Sequence, residues 1–161
     1  MRAVVMRKKS RLEAASVSDL TEVCGWIRSA EDCRLWLGAR LEFPIDAAKA
    51  PAALEFDIAT SWKLVEHDKT VAFGQIVPKE RARLHFARLI VEPERRGTGF
   101  GRLLVRALLD VTKPMSGHVV SLNVIASNTQ AIGLYRSFGF VEVDRPADEP
   151  ASTSIYLERS T

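Results

Sequence analysis

The sequence is poor in cysteine and contains no long apolar run, and each shortage excludes a class of protein. Cys24 and Cys33 are the only cysteines among 161 residues, and both fall in segments that we predict to be helical. Two such residues provide neither a disulfide framework nor a metal cluster, so we expect no metal site and a reducing, cytoplasmic location. Residues 3–6 are far too few for the apolar core of a signal peptide, and no run approaches the ~20 residues of a membrane span. We therefore expect no membrane partner.

The excess of positive charge is also small. The 23 Lys and Arg residues against 20 Asp and Glu residues give a formal net charge of +3, too little to indicate a nucleic-acid-binding protein. The densest basic run, RKKSR at residues 7–11, suits phosphate or anionic lipid, but a solvated chain terminus explains it as well. Neither a recognition-helix motif nor an RNA-binding aromatic signature accompanies it, so we expect no nucleic-acid partner.

What the chain does have is the composition of a globular domain. Hydrophobic residues make up 47% of it and charged residues 27%. A chain of this size buries on the order of 68–70% of its unfolded surface when it folds. We therefore expect one domain, residues 1–161, whose stability needs neither disulfides nor a metal.

Hydrophobic periodicity predicts a mixed α/β order in the first third of the chain. Residues 12–16 fit a first strand, and Ser18 is a candidate N-cap for a helix whose apolar residues share one face. Residues 31–37 fit a second short helix. Residues 46–55 fit a third, in which Pro51 must either stand in the early turns or break the helix.

The rest of the chain predicts a sheet with two strong helices. The β-like runs TSWKLVE, TVAFGQIVP and RARLHFARLIVEP follow one another as an antiparallel meander. From Phe100 onward, apolar residues at i, i+3, i+4, i+7, i+8 and i+11 form one helical face. A further strand precedes a second helix that Ser127 or Asn128 caps and Gly139 ends, and two closing strands follow.

A glycine-rich turn joins the third strand of the meander to the first strong helix. In VEPERRGTGFGRLL, Gly97, Gly99 and Gly101 alternate with larger residues. Because glycine lets the backbone approach a ligand, their N–H groups and the positive end of the helix form a concavity suited to phosphate oxygens. Three arginines add charge beside it: Arg95, Arg96 and Arg102. The turn therefore predicts an anionic, phosphate-bearing ligand, with a turn that binds nothing as the alternative.

Other phosphate-binding loops do not fit this spacing. A dinucleotide fingerprint needs glycine where Arg102 or Leu104 stands. A Walker A loop needs a Gly-Lys pair followed by Ser or Thr, which this segment lacks. The spacing therefore disfavours nicotinamide and nucleoside-triphosphate chemistry.

The turn and the second helix together resemble the two signatures of the GNAT superfamily of acyl-CoA-dependent N-acetyltransferases. The first signature, Gln/Arg-x-x-Gly-x-Gly/Ala, is matched by Arg96, Gly97, Thr98, Gly99, Phe100 and Gly101. The second, Asn-x-x-Ala-x-x-Leu-Tyr followed by Gly-Phe, is matched by Asn128, Ala131, Leu134, Tyr135, Gly139 and Phe140. The match is tight from Trp62 to Phe140, whereas the first third agrees only in the order of its elements.

This resemblance implies a fold and a cofactor. The fold would be mixed α/β, with a central, mostly antiparallel sheet that is flanked by helices and splayed into a V. The V would open between the strand ending at Val91 and the strand at residues 118–125, and acetyl-CoA would lie in it. The main chain of Leu89, Ile90 and Val91 would meet the acetyl and pantetheine groups, and the N–H groups of residues 97–102 would bind the pyrophosphate.

The resemblance also implies residues for the chemistry. Asn128 would contact the pantetheine or hold the start of the second helix. Tyr135 would point toward the thioester sulfur as the general acid, although its helical spacing alone suits a core aromatic. His85, which should share one strand face with Leu89 and Val91, is our candidate base, and a half-exposed sheet histidine is the equal alternative. Three weaker candidates for the base are Glu92, His118 and Asn123.

The acceptor is expected to be a small-molecule or peptide primary amine, to which the acetyl group passes directly. The resemblance places it between the first helices and the loop that joins the last two strands. Five carboxylates there could attract a cationic amine, and two aromatic residues could form walls: Glu31, Asp32, Asp144, Asp148 and Glu149, with Trp36 and Phe43. The alternative function is a non-catalytic CoA-binding sensor or interaction module on the same fold. Exposed sheet edges would allow a homodimer.

Overall fold

In the part of the chain that the structure describes, a single seven-stranded sheet carries the helices. The computed structural model describes residues 9–115 and 117–161, so residues 7 and 8 of the basic run lie outside the described part. The strands are β1 (Ser10–Ala14), β2 (Thr60–Glu66), β3 (Lys69–Lys79), β4 (Arg83–Val91), β5 (Val119–Val124), β6 (Val141–Glu142) and β7 (Ile155–Ser160). The α-helices are α1 (Leu20–Gly25), α2 (Ala30–Leu37), α3 (Ala50–Ala53), α4 (Phe100–Thr112) and α5 (Thr129–Ser137).

The sheet is mostly antiparallel and opens into a V, as the resemblance implies. Its strand order is β1-β2-β3-β4-β5-β7-β6. Strands β2, β3 and β4 form the predicted antiparallel meander. Strands β4 and β5 are parallel and pair only over residues 83–86 and 119–122, after which β4 continues to Val91 without β5. The opening therefore lies at the C-terminal ends of both strands.

A β-bulge interrupts β4 at the start of this opening. The register with β3 shifts between Phe73 and Gln75, so Gly74 stands opposite two residues of β4. One of the two, Arg88, has a φ of 53°, and its left-handed backbone accommodates the extra residue. The bulge brings the Cγ atom of Leu89 to 3.3 Å from the point where a Cβ on residue 74 would stand. Glycine at position 74 makes this close packing possible.

The bulge also overturns the predicted face of His85. On a regular strand, His85, Leu89 and Val91 would share one face. Leu89 and Val91 pack into the core beneath α4, and so do Leu84 and Phe86, the two neighbours of His85. His85 therefore points to the opposite face. The prediction is wrong because the extra residue shifts the alternation of side chains by one.

Two apolar cores hold the helices to the two faces of the sheet. Helices α4 and α5 cover one side, which we call the α4 face, and the predicted apolar stripe of α4 is buried there. Helices α1, α2 and α3 pack on the other side, the α2 face, around Phe73 and Ile90. Both layers are needed because a sheet of this kind exposes an apolar surface on each side.

Two boundaries in the first third differ from expectation. Ser16, rather than Ser18, precedes the first helical turn. The predicted helix at residues 46–55 forms only at Ala50–Ala53, where Pro51 occupies the first turn. Proline is tolerated there because the N–H that it lacks would have no partner within the helix.

Two further observations concern membranes and metals. No helix in the described part of the chain is long and apolar enough to cross a membrane. Within residues 9–115 and 117–161, no three metal-ligating side chains come together.

Cys24 and Cys33 are buried free thiols, and burial raises the pKa of both above the ordinary value. Such thiols are poor nucleophiles, because the thiolate is the reactive form.

Candidate active site

The opening of the V contains a cavity of about 600 Å³. Its walls are the end of β4, the glycine turn with the start of α4, helix α5, part of α2 and the segment between α1 and α2. Ten of the predicted site residues line it: Leu89, Ile90, Val91, Arg96, Gly97, Gly99, Gly101, Arg102, Asn128 and Tyr135. Three predicted site residues do not: His85, Thr98 and Phe100. Elements that are distant in sequence therefore bring most of the predicted site together.

The glycine turn forms one wall through conformations that favour glycine. Gly97 and Gly99 have φ angles of 75° and 95°, in the left-handed region. A Cβ on either residue would meet no atom within 4 Å, so both positions border open space. Gly99 immediately precedes α4, and the first turn of a helix has N–H groups without partners in the helix. This wall is suited to an anion.

Two of the three predicted arginines stand at this wall. Arg96 and Arg102 line the cavity. Arg95 instead forms ion pairs with Glu92 at 3.0 Å and with Glu66 at 3.1 Å. Its charge is already neutralised, so the expectation that all three arginines serve the ligand is corrected to two.

Only the main chain of Thr98 and Phe100 is available to a ligand, because both side chains have other contacts. The ring of Phe100 is buried in the core beneath α4. The hydroxyl of Thr98 donates to the carbonyl oxygen of Arg95, and its side chain borders a separate cavity behind the turn. Their predicted role, which concerned the N–H groups, does not depend on these side chains.

The end of β4 forms the second wall. Beyond Phe86 the strand does not pair with β5, so its main chain borders the cavity on that side. The indole N–H of Trp36 donates to the carbonyl oxygen of Arg88 at 2.7 Å. The Nε of Arg96 donates to the carbonyl oxygen of Val91 at 3.1 Å. These two bonds fix the main chain at both ends of the segment that lines the cavity.

Helix α5 forms the third wall. The Oδ1 of Asn128 accepts the N–H of Ala131 at 3.3 Å, so Asn128 caps the helix. The ring of Tyr135 packs edge-on against Phe140, with 6.0 Å between the ring centroids. Burial raises the pKa of Tyr135 to about 12. The phenol therefore keeps its proton near neutral pH and is a hydrogen-bond donor at the cavity.

His85 belongs to a hydrogen-bond network on the α2 face. Arg145 donates to Oδ1 of Asn123 at 2.8 Å, which orients the amide so that its Nδ2 donates to Nε2 of His85 at 3.3 Å. The proton of the neutral ring is then on Nδ1, which donates to the hydroxyl of Ser121 at 2.8 Å. Burial, with a smaller effect of nearby cations, lowers the pKa of His85 to about 3. The ring is therefore neutral near pH 7 and is a weak base.

We expect His85 to make the protein less stable in mild acid. The unfolded chain protonates this residue near pH 6.5, whereas the folded protein does so near pH 3. Because the unfolded state then binds more protons, the free energy of unfolding falls below pH 6.5 by up to about 1.4 kcal/mol per pH unit. In His85→Gln the decline between pH 6.5 and pH 4.5 should be shallower, as measured by urea unfolding at each pH.

The matched control for this prediction is His118→Gln. His118 lies outside the cavity and contacts the carbonyl oxygen of Met115. This variant removes a histidine that has no contact with the hydrogen-bond network of His85, so it shows what the loss of a histidine elsewhere does to the unfolding curves. Equal slopes in the wild type and in His85→Gln would show that the buried ring does not stay neutral.

The predicted acceptor carboxylates divide into two groups. Asp32 and Trp36, on α2, line the cavity. Asp148 and Glu149 instead form ion pairs with the buried guanidinium of Arg83, so their charges are not available to attract an amine. The expectation is corrected for these two residues. The other predicted acceptor residues are exposed: Glu31, Phe43 and Asp144.

Some residues that line the cavity are not identified by the sequence analysis. Ile27 reaches it from the segment after α1 and Leu35 from α2, and no motif marks either residue. Gln130 and Gly133 reach it from α5. The latter two fall at unspecified positions of the second signature, and their helical neighbourhood with Asn128 could have indicated them.

Comparison with known proteins agrees with this geometry. The model of the acetyltransferase (GNAT) family matches residues 21–140. The chain belongs to the GNAT family. The predicted resemblance is therefore confirmed.

Two curated relatives of this GNAT chain are N-acetyltransferases. It is 47% identical over 53 residues to N-alpha-acetyltransferase RimI of Mycobacterium tuberculosis. The alignment covers 33% of this chain and 32% of that protein. It is 37% identical over 82 residues to the ribosomal protein bS18-alanine N-acetyltransferase of Salmonella typhimurium. This alignment covers 50% of this chain and 53% of that protein. The chain thus spans about half or less of the length of these relatives.

Solved structures confirm the predicted GNAT fold. The spermidine N-acetyltransferase of Vibrio cholerae, in complex with CoA and spermine, superposes with a TM-score of 0.72. The alignment covers 94% of both chains at 18% sequence identity. At this identity the likeness establishes the architecture of the GNAT chain, including the sheet that carries its cavity.

Proposed function

We propose that this GNAT protein transfers the acetyl group of acetyl-CoA directly to a primary amine of a small-molecule or peptide acceptor. The observation that carries the proposal is the cavity in the open V, where both family signatures meet the end of β4 that does not pair with β5. Two relatives are named as N-acetyltransferases, and the spermidine enzyme was solved with CoA, which supports the same chemistry here.

The glycine turn fits the diphosphate of the coenzyme. Its positive φ angles and the open space at Gly97 and Gly99 allow phosphate oxygens to approach the main chain. The N–H groups of residues 97–102 would donate to those oxygens, with the positive end of α4 behind them. Arg96 and Arg102 would add full positive charges.

The end of β4 would act on the carbonyl group. Acetyl-CoA, when bound, supplies an activated acetyl group. Main-chain N–H groups at residues 89–91 would donate to its carbonyl oxygen as that oxygen gains negative charge, an effect typically worth about 3 kcal/mol per well-placed donor. The bond from Trp36 to the carbonyl oxygen of Arg88 supports this role, because it holds the bulge in place.

Tyr135 would assist the departure of the thiol. Its phenol is protonated at neutral pH and stands at the cavity wall. It would donate a hydrogen bond to the sulfur as the carbon–sulfur bond breaks. In the overall reaction the amine nitrogen forms a bond to the carbonyl carbon, and the proton that the amine loses ends on the sulfur.

His85 as the acceptor of the amine proton remains a prediction. Its Nε2 lone pair already accepts from Asn123, and its low pKa makes it a weak base. These contacts favour the alternative role, in which His85 holds Asn123 in position. A His85→Ala variant with an unchanged pH–rate profile would support the structural role, and a lost acidic limb would support the base.

Calorimetry and a thiol-release assay test the proposed function. We expect heat of binding with CoA, followed by release of free thiol when acetyl-CoA and an amine are both present. The assay should cover amino acids, peptides with a free N-terminus, lysine side chains, polyamines and aminoglycosides. Binding of CoA without turnover on any amine would favour the sensor or interaction module, and no heat with CoA would overturn both functions.

Two further proposals concern the surroundings of the enzyme. The buried free thiols of Cys24 and Cys33 support a reducing location such as the cytoplasm. Strands β1 and β6 are the edges of the sheet, and we propose that one of them pairs with its counterpart in a homodimer. Sedimentation equilibrium would measure the oligomeric state.

A further inference from the structure

The acceptor would reach the thioester from the α2 face. If the proposed function holds, the coenzyme lies against the glycine turn and the helices of the α4 face. On the α2 face, helices α1, α2 and α3 cover only the part of the sheet around Phe73 and Ile90. The loop at residues 143–154 contacts β5 through Arg145 and Asn123, and β4 through the ion pairs of Arg83, so it forms one side of the mouth of the V.

Arg145, in this loop, presents a guanidinium without a carboxylate partner. Its Nη1 donates to Asn123 at 2.8 Å, its Nη2 donates to the carbonyl oxygen of Ser154 at 3.0 Å, and its plane lies over the ring of Tyr156. Asn123 follows Leu122, the last residue of β5 that pairs with β4, so Arg145 stands at the mouth of the V. Within the described residues Arg145 forms no ion pair, and its Nε has no hydrogen-bond partner.

Arg88, at the bulge on the opposite side of the mouth, is also incompletely neutralised. Its Nη2 contacts the carboxylate of Glu55 at 3.2 Å, and Arg40 contacts the same carboxylate at 3.5 Å. Two cations therefore share one anion. The side chain of Arg88 is only 6% exposed, and burial lowers its pKa. Nε of Arg88 donates to Gln75 and Nη2 donates to the carbonyl oxygen of Leu54, so within the described residues Nη1 is the nitrogen left for a ligand.

The nearby charges must be counted on both sides. Arg145 donates to Asn123, whose amide contacts His85, and Arg88 follows His85 by three residues on β4, so both guanidinium groups stand at the start of the opening. The two other cations near the ring, Lys79 and Arg83, pair with Asp148 and Glu149. Glu158 shares this face, but it stands two residues beyond Tyr156 in the direction away from the opening, roughly 7 Å along the strand. The mouth therefore presents two guanidinium groups beside one exposed loop carboxylate, that of Asp144.

From these two groups we propose that the acceptor amine carries a carboxylate, which Arg145 and Arg88 bind at the mouth of the V while the amine faces the thioester. Guanidinium groups bind carboxylates strongly because two N–H donors match two oxygens. Asp32, on the cavity wall, supplies the opposite charge for the amine. A polycation such as spermidine would instead meet two like charges. This inference rests on the proposed function and names its substrate class.

A thiol-release assay with matched amines tests the proposal. One pair is alanine and alaninamide; the other is an amidated tetrapeptide with aspartate at its second position and the same peptide with asparagine. We expect kcat/KM to be at least about tenfold higher for the carboxylate member of one pair. The pair that discriminates tells whether the carboxylate belongs to a free amino acid or to a peptide side chain. Equal rates within both pairs, or a preference for spermidine, would overturn the inference while the acetyltransferase activity stands.

A variant of Arg145 tests the residue itself. We expect Arg145→Gln to raise KM for the carboxylate acceptor about tenfold, with KM for acetyl-CoA unchanged and with no effect on the uncharged member of the pair. Arg145→Lys should restore part of the loss, because the charge returns. The control, Arg106→Gln, removes the same charge from the exposed side of α4 and should change neither constant. An equal loss for the charged and the uncharged acceptor would show a merely structural role and overturn the assignment.

Discussion

We expect Tyr135→Phe to lower kcat for acetyl transfer by roughly a hundredfold to a thousandfold, the usual contribution of a positioned proton donor. The substitution removes one hydroxyl and keeps the ring, so the edge-on contact with Phe140 is preserved. Because the pKa of Tyr135 is about 12, above that of an ordinary thiol, complete transfer of its proton to sulfur is uphill. The phenol would therefore stabilise the leaving sulfur by donation, and the loss should appear in kcat.

Two measurements separate this role from a structural one. Calorimetry should give the same affinity for CoA in Tyr135→Phe as in the wild type, and thermal unfolding should be little changed. The wild-type rate should not decline through ionisation of Tyr135 below pH 10, because the phenol stays protonated there. Unchanged turnover in Tyr135→Phe would remove this residue from the mechanism and leave it as a core aromatic.

The second large effect is expected at the glycine turn. Gly99 has a φ of 95°, so Gly99→Ala strains the main chain by about 1–2 kcal/mol and places a methyl group at the cavity. A displaced amide would also lose a hydrogen bond to a charged phosphate, typically worth about 1.5–3 kcal/mol. The strain lowers stability, whereas the lost hydrogen bond predicts an affinity for CoA that is weaker by about tenfold to a hundredfold, measured by calorimetry.

Gly117→Ala is the matched control for this substitution. Gly117 has a similar φ of 85° and no atom within 4 Å of its Cβ position, but it lies outside the cavity. Both variants should therefore lose a similar amount of stability, whereas only Gly99→Ala should lose affinity for CoA. If Gly99→Ala binds CoA as tightly as Gly117→Ala does, the turn does not hold the diphosphate.

Features encoded by neighbouring residues could be predicted from the sequence. The alternating glycines, the apolar stripe of α4 and the cap at Asn128 are each set within a few turns of chain, and the structure places all three where they were expected. The antiparallel meander could also be predicted from the sequence, because its three strands follow one another with short turns. The helix boundaries near Ser16 and Pro51 were predicted less accurately, because competing capping residues are nearly equivalent in a short helix.

By itself, then, the sequence determined the family, the order of the elements and the position of the anion-binding turn. Only the tertiary structure decided which face His85 occupies, because one extra residue at the bulge reverses the alternation and strand periodicity does not reveal it. Tertiary structure also decided which charges remain at the mouth of the V. The partner of Arg83 is 66 residues away at Glu149, and that of Trp36 is 52 residues away at Arg88. Such pairings depend on how distant segments pack, and no local pattern in the chain records them.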